Sequence, residues 1–135
     1  MTPDQIIAWF SAIWRVFKRL FKKTRCLLIV EDDADDVEII SLFLRRNRRS
    51  YDVSRTAEDA LTRIRSCKYE IIFLDIRLPC MDGWMLLSHI IDESPESKII
   101  ITCGDPRDLV KMPVGIPFEV MIKPPSMHGI DKILK

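Results

Sequence analysis

No two cysteines of this chain form a CxxC pair. Cys26, Cys67, Cys80 and Cys103 are widely and irregularly spaced, and neither His89 nor His128 lies beside one of them in sequence. That spacing excludes the usual zinc-ligand patterns. Cys26 and Cys103 fall in apolar, strand-like runs, where a thiol behaves as a small hydrophobe, and a reducing, cytoplasmic compartment is expected. No uninterrupted apolar stretch approaches the roughly 20 residues that span a bilayer. The first residues also lack a signal-peptide layout, because charges alternate with apolar residues and no small-residue cleavage site follows. Internal repeats, linkers and low-complexity tracts are absent too. The formal net charge is only +1 over 135 residues, which by itself points to no strongly charged partner.

That near-neutral total hides an asymmetry. Residues 1–25 carry six basic side chains (Arg15, Lys18, Arg19, Lys22, Lys23 and Arg25) against the single acid Asp4, a balance of +5. The other 110 residues hold 15 basic and 19 acidic groups, a balance of −4. The two parts suit different surroundings. Thr2 and Pro3 open a helix, as a cap followed by proline in the first turn. Ile6, Trp9, Phe10, Ile13, Phe17 and Leu20 then recur at three- and four-residue intervals, with basic residues opposite. The spacing predicts one amphipathic basic helix over residues 3–23, forming a unit of residues 1–24. Such a helix suits a peripheral membrane surface, a homodimer or another protein's groove, or packing on its own domain. Nucleic acid is not expected, because the aromatics line the face opposite the charges rather than interleaving with them.

After Thr24 apolar runs of strand length alternate with helical patterns. Strands are predicted at Cys26–Val30, Tyr51–Arg55, Ile71–Asp75, Lys98–Cys103 and Phe118–Ile122. Helices are predicted at Asp35–Arg46, Ala57–Ser66, Gly83–Asp92 and Met127–Leu134, with at best a turn or two at Pro106–Lys111. Nearly continuous apolar strands separated by helices imply a parallel sheet covered on both faces. The expected fold over residues 25–135 is a five-stranded parallel α/β sandwich with helices on both faces, preceded by the amphipathic helix.

In such a sheet ligands bind beyond the carboxyl ends of the strands. The first strand runs into Glu31-Asp32-Asp33, the third ends at Asp75, the fourth at Thr102 and the fifth at Lys123. Carboxylates gathered at one rim repel one another unless a proton or a cation intervenes. Oxygen ligands of this kind suit Mg²⁺, and a carboxylate can accept a phosphoryl group as an acyl phosphate. Lys123 would neutralise charge there and the Thr102 hydroxyl would donate a hydrogen bond. The plainer alternative is that Asp32, Asp33 and Asp35 only cap the next helix. His89 and His128 read as surface positions, and Trp84 as packing on the helix or loop after the third strand.

The segments LLIVEDD (27–33), IIFLDIRLPCMDG (71–83), IIITCG (99–104) and VMIKPP (120–125) resemble the signature segments of the response-regulator receiver family. The resemblance covers residues 25–135 and implies a CheY-like, flavodoxin-like fold. It implies that Asp75 is the phosphoacceptor, Thr102 the switch hydroxyl and Lys123 the phosphate-binding lysine. It further implies that Glu31, Asp32, Asp75 and the Arg77 backbone carbonyl hold Mg²⁺. Pro79, Asp82 and Gly83 match the loop after the acceptor, and a cis bond is expected at Lys123-Pro124. The implied partner is a histidine kinase or phosphotransfer protein, and the chain is not expected to be an enzyme acting on other substrates. An aspartyl phosphatase would want a second acid two residues past the nucleophile, where Arg77 stands.

Three features depart from the family pattern. Val120 occupies the place of the aromatic switch residue, prolines at 106, 113 and 117 leave little room for a helix before the fifth strand, and the last helix ends at Lys135. With no DNA-binding or enzymatic module after the domain, output through contacts or onward phosphoryl transfer is expected. A receiver fold kept as a scaffold, with an idle phosphorylation site, is the competing expectation.

Overall fold

Apolar side chains that alternate to both faces of a strand need cover on both faces. The computed structural model, which describes residues 1–20, 23–79 and 81–135, has that arrangement. Helix α1 (Pro3–Leu20) is followed by β1 (Lys23–Val30), α2 (Ala34–Arg46), β2 (Tyr51–Ser54), α3 (Ala57–Ser66) and β3 (Cys67–Asp75). Next come α4 (Gly83–Glu93), β4 (Lys98–Cys103), a 3-10 helix at Pro106–Lys111, β5 (Glu119–Ile122) and α5 (Met127–Leu134). The five strands pair in parallel in the order β2-β1-β3-β4-β5. Chain direction across the sheet reverses at the β1/β3 junction, the place where this strand order leaves a crevice.

The alternation along the central strands sorts the core into two layers. Leu28, Val30, Ile72, Leu74, Ile99 and Ile101 pack with α3 and α4 on one face. Leu27, Ile29, Ile71, Phe73 and Ile100 pack with Val37, Ile40 and Leu44 of α2 and with Ile130 and Ile133 of α5 on the other. Both layers hold the β1 and β3 ends firmly beside each other.

Strand starts differ from the sequence reading. β1 begins at Lys23, not Cys26, and β3 at Cys67, not Ile71, because Lys23, Thr24 and Arg25 pair with Cys67, Lys68 and Tyr69. The expected helix over 3–23 therefore overlaps the sheet at Lys23; α1 reaches Leu20, and Phe21 and Lys22 lie outside the described residues, as does Cys80. The Pro106–Lys111 segment is a single 3-10 helix, as its proline content required. Lys123-Pro124 is cis. Trp84 packs on the α3/α4 layer and against Phe118, which precedes β5, at a ring-centroid distance of 5.8 Å. No helix among the described residues is long and apolar enough to cross a membrane.

Candidate functional site

The site stands at the carboxyl ends of β1, β3, β4 and β5. Glu31 directly follows β1, and its amide donates to the Ser54 carbonyl at 3.0 Å, so the end of β2 fixes its place. Asp33 caps α2: one oxygen accepts from the amides of Asp35 (2.9 Å) and Asp36 (3.0 Å). The capping reading is thus right for Asp33, which leaves Glu31 and Asp32 for the rim. Asp75 ends β3 opposite Thr102 in the β3/β4 register, and both are nearly inaccessible, at 5% and 1% exposure. Lys123 follows β5, its amide donating to the Cys103 carbonyl at 2.8 Å.

The charges converge on the Lys123 ammonium. Its Nζ donates to Glu31 Oε2 at 2.6 Å, Asp36 Oδ2 at 2.9 Å and Asp75 Oδ2 at 3.2 Å. The other Asp75 oxygen, Oδ1, accepts from the Arg77 amide at 2.9 Å. Oxygens of Glu31, Asp32 and Asp75 lie within 4.8 Å of one another, with Asp32 exposed and the other two buried. One ammonium faces more carboxylates than it can neutralise, so the cluster wants a proton or a further cation. The shift of Glu31 expresses that need. Burial first, and then its hydrogen bond with Asp75, push its carboxyl up to about 8 against the pull of Lys123. Burial lowers the Lys123 ammonium, but its bonds to Glu31 and Asp36 outweigh that and carry it above the usual lysine range. An oxygen-only donor set with one exposed member fits Mg²⁺, which keeps several of its waters, and does not fit zinc.

Every expected rim residue is therefore at the rim. Arg77 brings its amide to Asp75, while its side chain turns away to pair with Asp108 Oδ2 at 2.5 Å and Asp105 Oδ2 at 3.6 Å. His89 and His128 take no part in these contacts. Asp36 is the member the sequence reading missed. Its signal was its spacing: it stands four and eight residues before Ile40 and Leu44, on the inward stripe of α2.

A family model described as "Response regulator receiver domain" matches residues 27–113. Over 113 residues the chain is 39% identical to a two-component response regulator from rice, Oryza sativa subsp. japonica, covering 79% of this chain and 19% of the regulator. The chain spans only 18%, 24% and 36% of three other curated relatives. A two-component response regulator from Clostridium difficile superposes with a TM-score of 0.73 at 26% identity, covering 82% of this chain and 93% of that one. The response regulator TrrA of Thermotoga maritima, solved in complex with Mg²⁺ and BeF, shares the fold with a TM-score of 0.73 at 20% identity, covering 82% and 96% of the two chains.

Proposed function

The chain belongs to the response regulator receiver domain family, and from that membership we propose that it is a phosphoacceptor switch of two-component signalling with Asp75 as the acceptor. The observation that carries this reading is the buried Asp75 carboxylate, 3.2 Å from the Lys123 ammonium and within a ligand's reach of Glu31 and Asp32. The donor would be a phosphorylated histidine on a kinase or phosphotransfer protein. A carboxylate oxygen of Asp75 bonds to phosphorus as the bond to the donor's imidazole nitrogen breaks, leaving that imidazole neutral or protonated according to the solvent.

Glu31, Asp32 and Asp75, with the main-chain carbonyl of Arg77, are the residues that would hold Mg²⁺. Bound there, the ion would neutralise charge gathering on the phosphoryl oxygens. The chain's own groups do the rest. Lys123 supplies a fixed positive charge, Thr102 a hydroxyl beside the acceptor in the register, and the Arg77 amide orients Asp75 through Oδ1. Chemistry ends with hydrolysis of the acyl phosphate in the same site, so no substrate other than the donor is turned over. The receiver then begins with β1 at Lys23, two residues before the boundary expected from the sequence, and α1 (Pro3–Leu20) is a separate localising or contact unit.

Two observations favour the scaffold alternative. Val120 is 38% exposed where the family carries an aromatic switch, and the segment before β5 is one 3-10 helix, so the usual readout surface is reduced. Intact mass after incubation with Mg²⁺ and acetyl phosphate separates the readings. The phosphoacceptor reading expects one added phosphoryl group in the parent and none in Asp75→Asn. Mg²⁺ binding without any gain in mass would leave only the scaffold.

A further inference from the structure

Helix α1 contributes no residue to either described core layer. Its apolar side chains are open to solvent: Ile7 is 65%, Phe10 60% and Leu20 67% exposed. At about 100° per residue the apolar positions of α1 fill an arc of roughly 180°, with Ile6, Ile13 and Phe17 near its midline. Trp9 and Trp14 stand near the two borders of that arc, each roughly 70° from the midline. Arg15, Lys18 and Arg19 fall outside it, and Lys22, Lys23 and Arg25 follow in sequence.

We propose that α1 lies in the plane of an anionic lipid surface, its apolar arc sunk among the acyl chains and its basic residues at the headgroups. A half-circumference of apolar surface is wider than one partner helix covers, since a two-helix seam uses a narrow stripe. A bilayer face covers all of it. Indole rings at the two borders take the depth that tryptophan prefers, between hydrocarbon and headgroup. Charge decides the lipid. Helix α1 itself has Arg15, Lys18 and Arg19 against Asp4, a balance of +2, and Lys22, Lys23 and Arg25 follow it in sequence; negative headgroups attract this charge, and a parallel pair of such helices would set it side by side in repulsion. Phosphate-bearing anionic lipids are thus the occupant, and the receiver would work at that surface.

The test uses the full chain with two kinds of vesicle, phosphatidylcholine alone and phosphatidylcholine with phosphatidylglycerol in equal parts. Flotation should carry the chain with the mixed vesicles, with affinity about tenfold or more above that for phosphatidylcholine alone and falling as salt is raised. Ile13→Glu, at the middle of the arc, should abolish flotation. Arg15→Gln with Lys18→Gln should keep the apolar arc yet lower affinity for the mixed vesicles by on the order of tenfold. Acetyl phosphate labelling of the same samples reports on the receiver separately, so loss of one property does not stand for loss of the other. Absence of the chain from both floating fractions, equal affinity for the two compositions, or a dimer in vesicle-free solution that Ile13→Glu splits would overturn the proposal.

Discussion

Lys123 is placed so that its removal reaches the acceptor directly. Its ammonium meets Glu31, Asp36 and Asp75, and both Glu31 and Asp75 are buried. Lys123→Met takes away the positive charge aimed at the incoming phosphoryl group, and labelling by acetyl phosphate should slow by on the order of a hundredfold. Glu31 sets a pH dependence. Its carboxyl is raised from 4.5 to about 8, so between those values the folded protein binds more protons than the unfolded chain. The contribution is present below pH 4.5 and is lost as pH rises toward 8. In the absence of divalent cations, melting temperatures should fall across that window, and Glu31→Gln should flatten the fall. Added Mg²⁺ should restore stability at the alkaline end, where Glu31 is ionised. A melting temperature that rises from pH 5 to 8 without metal would contradict this account. Asp36 shows where residue-by-residue reading ran short. An acid in the first turn of a helix is ordinarily a dipole partner, and only its alignment with Ile40 and Leu44 separates it from Asp35.

At the scale of elements, β3 and the turn into α4 do most to position Asp75. Phe73 lies two residues before it, fully packed under α2 and α5. Phe73→Ala should cost about 3–5 kcal/mol in denaturant unfolding, with any volume-conserving replacement costing far less. Gly83 opens α4 against the backbone of Ile76: its amide donates to the Ile76 carbonyl at 3.1 Å, and an added Cβ would fall 2.6 Å from that oxygen. Gly83→Ala must shift the acceptor loop, and a loss of about 1–3 kcal/mol is expected together with slower labelling of Asp75. The sequence made the apolar centres of these strands plain, because IIFL and IIIT runs have no other economical place than a sheet covered on both sides. It did not show where β1 and β3 begin. Lys23–Arg25 and Cys67–Tyr69 carry no apolar run, and they extend the sheet only because each supplies the other's backbone partners. The short helix before β5 was legible from its prolines. That Arg77 ties the acceptor loop to Asp108 was not, since nothing in either segment specifies a contact 31 residues apart.

The whole molecule joins an acidic receiver, which gathers carboxylates at one rim, to a basic amphipathic helix that, among the described residues, adds nothing to either core layer. The order of acid pair, acceptor, hydroxyl and lysine made the rim legible before any fold was known, because those residue types stand at the ends of four strands of one parallel sheet, β1, β3, β4 and β5. What covers α1 was left open by the sequence, since the same stripe serves a lipid, a copy of itself or a groove. The rim and the helix are tested separately, and the rim is the central matter. The most direct measurement is chemical location of the phosphoryl group. The chain is phosphorylated with acetyl phosphate and Mg²⁺ and reduced with borohydride, which converts an aspartyl phosphate to homoserine, and its peptides are then sequenced by mass. The account predicts homoserine at position 75 and at no other aspartate. Homoserine at Asp32 or Asp36, phosphate on His89 or His128, or an unaltered Asp75 in a chain that binds Mg²⁺ would contradict it.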